Sequence, residues 1–145
     1  MNEPMRPRSY YRVWRDVPTR WGDNDVYGHV NNVIYYEWID TAVNTWLIES
    51  GMLDPIAGDP IGLVVETGCR YARSVMFPHI VQVGLSVGRL GRTSVQYHVG
   101  IFEENFDGAA AEGVFIHVYV DRATRRPEPL PDDWRRKLEA IAAPV

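Results

Sequence analysis

The densest chemistry in this chain lies in the run Gly22-Asp23-Asn24-Asp25-Val26-Tyr27-Gly28-His29-Val30-Asn31-Asn32. Asp23 and Asp25 offer carboxylates that can take up a proton or attack a carbonyl, and His29 places an imidazole four residues beyond Asp25. Asn24, Asn31 and Asn32 add carboxamides, and Gly28 permits a sharp backbone turn. A strongly apolar helix pattern follows at once. A helix N-terminus presents unpaired backbone N–H groups and the positive end of the helix dipole, so this junction can hold developing negative charge.

Four simpler readings compete for the same residues. A calcium loop of the helix–loop–helix type would use Asp23, Asp25 and Gly28, but Tyr27 and Ile34 stand where that loop needs an oxygen donor and a glutamate. An aspartyl-phosphate nucleophile in a D-x-D loop follows an apolar strand, whereas Thr19-Arg20-Trp21-Gly22 precede this one. A transition-metal site on Asp23, Asp25 and His29 lacks a second histidine at ligand spacing, because His79, His98 and His117 lie far along the chain. No metal is therefore expected. As a plain polar turn, Asp25 would bond backbone N–H groups and Gly28 would supply a positive φ. The Gly28-His29-Val30-Asn31-Asn32 string, opening directly onto an apolar helix, exceeds what a turn requires.

The elements that must position these residues can be read from periodicity. Residues 10 to 21 alternate loosely and predict a strand, with Pro18 marking an edge or a bulge. Residues 32 to 50 predict a helix. Glu37, Asp40, Thr41, Asn44 and Thr45 form one polar stripe, and the remaining positions are apolar over most of the circumference. Asn31 or Asn32 is the N-cap, and Gly51 suits the position just past the last turn. Residues 52 to 60 read as a loop. Strands are predicted over 61–71, 80–90, 93–103 and 113–121, with turns at Arg89-Leu90-Gly91-Arg92 and Asn105-Phe106-Asp107-Gly108. A short charged helix covers 132 to 142. A helix apolar nearly all round needs a surface that wraps it, and a curved antiparallel sheet of about five strands does so. The expected fold class is α+β. Open strand edges predict at least a homodimer.

The gross numbers agree. One domain over residues 1–145 is long enough for a core. A net charge of −4 disfavours nonspecific nucleic-acid binding. The single cysteine, Cys69, cannot form an internal disulfide, which fits a reducing, cytoplasmic compartment. No signal peptide is expected, and no stretch approaches the ~20 apolar residues of a membrane span.

The run from Arg20 and Trp21 through Asp25-x-x-Gly28-His29-Val30-Asn31-Asn32 to Tyr35, with Glu37 and Asp40 following, resembles the hot-dog-fold acyl-CoA thioesterases. The likeness is to the 4-hydroxybenzoyl-CoA thioesterase-like branch. Arg89-Leu90-Gly91-Arg92-Thr93-Ser94-Val95 is similar to a strand-joining turn of that family. The resemblance implies a long central helix wrapped by a curved sheet, a homodimer or dimer of dimers, and hydrolysis of an acyl-CoA thioester to a carboxylic acid and free CoA. No cofactor is implied, since coenzyme A is part of the substrate.

The resemblance also implies roles. Asp25 attacks the thioester carbonyl or deprotonates the attacking water. The oxyanion meets the backbone N–H of Asn32 or Val33. His29 bonds the substrate carbonyl, orients Asp25 or stabilises the loop. Asn32 orients water or caps the helix. Asp23 is structural, and Glu37 is a hydrogen-bond partner on the helix. Gly28 lets the loop approach the thioester, and the acyl group lies near Tyr27, Tyr35, Trp38 or Phe77. Arg70, Arg73, Arg89 and Arg92 are candidates for the CoA phosphates. Two other classes stay open: a hot-dog hydratase or dehydratase, and an acyl-CoA-binding module without catalysis. The Gly28–Asn32 string speaks against the first and the Asp25 carboxylate against the second.

Overall fold

A computed structural model describes residues 4–144. The elements follow as β1 (Val13–Pro18), α1 (Asn32–Glu49), β2 (Ile61–Tyr71), β3 (Ile80–Leu90), β4 (Ser94–Glu103), β5 (Ala111–Val120) and α2 (Asp132–Ala140), with short 3-10 turns at Arg8–Tyr10 and Trp21–Asp23. The five strands form one antiparallel sheet in the order β1-β3-β4-β5-β2.

Strand alternation decides the two faces of the sheet. On β4, Val95, Tyr97, Val99 and Ile101 are fully buried beneath α1. The alternate residues His98, Gly100 and Phe102 point to the convex face, where Tyr10 and Tyr11 of the N-terminal segment cover them. α1 buries Tyr35, Trp38, Ile39, Ala42, Val43 and Leu47, the i, i+3, i+4, i+7 spacing of a single helical stripe. Each fully buried aliphatic side chain contributes ~1.5–3 kcal/mol. The helix lies close on the sheet because β5 carries Gly113, where a Cβ would stand 2.4 Å from Ile39 Cδ1. Asn31 caps the start of α1. Its end is set by Gly51 at φ +78°, with Gly51 N–H donating to Ile48 and Met52 N–H to Leu47.

The strands do not lie in chain order: β2 joins the far edge beside β5, and residues 72–79 carry the chain past the strand ends to β3. The sheet curves over one side of α1, as the sequence pattern predicts for the fold, and the other side is left open. Val33, Tyr36 and Ile48 remain exposed. Among the described residues, no helix is long and apolar enough to cross a membrane.

Candidate active site

The loop between β1 and α1 is tied at its base. Asp23 is fully buried, and its carboxylate accepts from the Arg20 backbone N–H and from Arg20 Nε and Nη2 at 2.8–3.0 Å. The Asp23 carbonyl accepts from Asn31 N–H at 2.8 Å, and Val30 N–H donates to Val75 O at 2.9 Å. The chain therefore leaves at Asp23 and returns at Asn31. Asp23 is structural, as expected.

The tip of this loop is organised around Asp25. Its backbone N–H donates to His29 O at 2.7 Å, and its carbonyl accepts from Gly28 N–H at 3.1 Å. Gly28 makes this possible at φ +80°, a conformation other residues rarely adopt. Asp25 Oδ1 accepts from Tyr27 N–H at 2.8 Å and His29 N–H at 3.4 Å. Oδ2 accepts no hydrogen bond from the described residues. The carboxylate is thus fixed by one oxygen and free at the other.

The start of α1 is equally specific. Asn31 N–H is taken by Asp23, Val33 N–H by Asn31 Oδ1 at 3.0 Å, and Ile34 N–H by Asn31 O at 2.9 Å. Asn32 N–H alone in this turn has no acceptor among the described residues. Asp25, His29, Val30, Asn32 and Tyr35 form one wall of an open cleft of about 360 Å³, and Tyr71 to Ser74 form the other. Tyr71 O–H donates to Asn32 O at 3.2 Å, and its ring meets Tyr35 edge-on at 5.0 Å.

The expected site residues divide. Asp25, His29, Asn32, Tyr35 and Arg73 share the cleft. Val33 does not offer a free oxyanion donor, because the cap consumes its N–H, and the capping side chain is Asn31 rather than Asn32. The His29 ring is exposed and forms no hydrogen bond with the described residues; only its backbone supports the loop. Tyr27 is 82% exposed at the loop tip. Phe77 packs edge-on against Trp21 at 5.8 Å. Trp38 floors a separate groove of about 240 Å³ between α1 and β1, and Glu37 on that groove's rim pairs with Arg20 at 3.6 Å.

Of the four arginines, Arg73 alone borders the cleft. Its Nη1 donates to buried Glu103, and its guanidinium lies 4.0 Å over the Phe106 ring. Arg70 points to the convex face and pairs with Glu112 at 2.7 Å. Arg89 and Arg92 are exposed at the β3–β4 turn, at the other end of the strands. The acidic trio Asp59, Asp121 and Glu128 also lies at that far end, with carboxylate oxygens within 4.8 Å of one another, but it belongs to loop hydrogen bonds rather than to the cleft.

This cleft sits on a sheet and helix shared with known proteins. The family profile described as thioesterase-like superfamily matches residues 19–138. The chain belongs to that superfamily. Thioester hydrolysis is the activity of this enzyme class, and the sheet wrapped on one long helix is its hot-dog fold. The PA5185 protein of Pseudomonas aeruginosa strain PAO1 is 47% identical, with 96% of this chain and 97% of that one covered, at a TM-score of 0.89. A thioesterase of Thermus thermophilus, solved with coenzyme A and Zn, is 25% identical over 91% of this chain and 95% of that one, at 0.74. Slr0204 of Synechocystis, a 1,4-dihydroxy-2-naphthoyl-CoA thioesterase, shares the fold at 17% identity, 90% and 98% coverage and 0.79. A search of curated protein sequences finds no match.

Within this thioesterase fold, the cleft residues that sequence reasoning missed are Val30, inside the motif, and Tyr71, Ala72 and Ser74, some forty residues from the Asp25 run. A signal existed in strand parity: Cys69 and Tyr71 share the helix-facing side of β2, next to the turn that opens α1.

Proposed function

We propose that the protein hydrolyses acyl-CoA thioesters in the Asp25 cleft. The observation that carries this reading is the pairing of two unsatisfied groups in one cleft: Asp25 Oδ2, with its partner oxygen tied down, and Asn32 N–H at the start of α1. A thioester carbonyl with its oxygen at Asn32 N–H and its carbon facing Asp25 meets both. Oδ2 attacks that carbon, or deprotonates a water that does. The carbonyl oxygen gains negative charge, and Asn32 N–H at the positive helix end stabilises it. When the C–S bond breaks after water attack, the acid is released directly and the proton held by Asp25 passes to the CoA thiolate. After attack by Oδ2 itself, the bond breaks to leave an acyl anhydride on Asp25. One water hydrolyses it to the carboxylic acid and free Asp25, a proton of that water going to the thiolate. These steps use side chains, one backbone amide and water, so no cofactor enters the proposal.

Val30 and Tyr35 offer apolar surface for the acyl group. Arg73 is the cation nearest to hand for CoA, although Glu103 shares its charge. A CoA substrate and a lone cysteine fit a cytoplasmic setting, and the exposed β2 edge fits a homodimer or a dimer of dimers.

The test is thiol release across aromatic and straight-chain acyl-CoAs. Asp25→Asn is expected to lower kcat by ~10² or more, the scale of a lost general base or nucleophile, with the fold retained. Full activity in Asp25→Asn would remove Asp25 from this role. No thiol release by the unaltered protein, with CoA esters still bound, would favour a binding module.

A further inference from the structure

Resting on the hydrolase reading above, we propose that Tyr71 is a positioning residue that pins the first turn of α1 and so aims the Asn32 amide at the substrate carbonyl.

Successive peptides at the helix start are held in different ways. The 30–31 peptide is held through Asn31 N–H on Asp23 O. The 31–32 peptide is held only through its carbonyl, which accepts from Ile34 N–H, and its own N–H is the free donor. The 32–33 peptide is gripped at both ends: Asn31 Oδ1 takes its N–H and Tyr71 O–H its carbonyl. The free N–H thus lies between clamped neighbours, and its direction follows theirs. The Asn31 clamp comes from the same loop and moves with it. Tyr71 is different, because it is the last residue of β2 and ties the helix start to the sheet.

Tyr71 is suited to this work, with Cys69 on the same strand face beside it. It is 44% exposed, so it adds little to the core. Its ring is steadied edge-on by Tyr35. Desolvation raises its pKa, so the hydroxyl remains a donor at neutral pH. The position and register of α1 are already fixed by the Asn31 cap and by the approach of Ile39 to Gly113. Loss of the hydroxyl therefore frees the direction of one turn without unseating the helix.

Tyr71→Phe keeps the ring and removes the donor. With benzoyl-CoA and decanoyl-CoA as probes, kcat is expected to fall roughly three- to tenfold, the scale of one neutral hydrogen bond. KM and the melting temperature should stay put. Without substrate, amide hydrogen exchange over residues 32–36 should speed up, while the second half of α1 is unaffected. Unchanged exchange in that turn overturns the pin, as does faster exchange with unchanged kcat. A loss carried by KM alone makes Tyr71 a substrate contact and also overturns it. A protein that releases no CoA from any ester refutes the hydrolase reading, and the exchange measurement still decides whether Tyr71 clamps the turn.

Discussion

Asp25 owes its geometry to neighbours within four residues. Two backbone N–H groups on one oxygen hold the carboxylate in a single orientation and leave the other oxygen outward. Asn31 performs the matching task one turn later. Its side chain removes Val33 N–H from competition and leaves Asn32 N–H without an acceptor among the described residues. Asn31→Ala is expected to destabilise the protein by ~1 kcal/mol, the usual cost of a lost N-cap. It should lower kcat further than that loss explains, since Val33 N–H then competes for the same oxygen. Thermal melts beside steady-state kinetics separate the two effects. This half of the site was legible in the sequence because its hydrogen bonds are local. The spacing of Asp25, Gly28 and Asn31 is itself the geometry. Tyr71 left only the faint signal of strand parity and Ser74 none, because only the sheet brings them across to the Asp25 loop.

At the level of elements, Glu103 ties three chain segments under the cleft. It is buried at the end of β4 and accepts from Arg73 Nη1 and His79 Nδ1 on the β2–β3 link. The carbonyl of His79 in turn accepts from Thr19 Oγ1 at 2.7 Å, just past β1. Burial alone would raise the Glu103 pKa, but the hydrogen bonds from His79 and Arg73 outweigh it and the net shift is downward. A carboxyl held low stabilises the fold above its unfolded value of 4.5, and that contribution disappears as pH falls through the lower folded value. Glu103→Gln should cost roughly 2 kcal/mol at neutral pH, as for a hydrogen bond to a charged group. The gap from the unaltered protein should then close in acid, once both side chains are neutral. Denaturant melts at several pH values read this directly.

His98 and His117 act in a higher window. Burial holds both near 4, so the folded state resists the protons that the unfolded state accepts from 6.5 downward. Their loss of stability between 6.5 and 4 is common to both proteins and cancels in the comparison. Such tethers explain why strand positions were readable but strand neighbours were not. Alternation in β4 and β5 marks their faces. Nothing in residues 61–71 says that they pair with β5 rather than with β3.

At the scale of the whole molecule, the unfinished surface is the β2 edge. β2 pairs with β5 on one side only, and its register shifts between Val64 and Glu66. Gly62 faces His117 beneath the helix, so Val64 shares that face. Cys69 also packs into the helix-side core, so Val65 shares it too, counting back by twos. The shift thus turns two successive valines to the helix side, where they are 51% and 59% exposed. Val33, Tyr36 and Ile48 on the uncovered flank of α1 are exposed as well. A long edge strand beside an apolar helix flank would invite disordered aggregation unless it has a regular occupant. A second copy related by twofold symmetry meets the need, because the edge then pairs with itself and the two helix flanks cover each other. The protein is accordingly expected to sediment at twice its 16.6 kDa chain mass. Val65→Asp places a charge where the two edges would meet. It should yield a monomer, or a dimer weakened by at least ~2 kcal/mol, the scale of an unpaired polar group in an apolar contact. If sedimentation velocity finds Val65→Asp as dimeric as the unaltered chain, the copies associate elsewhere and the β2 edge is free.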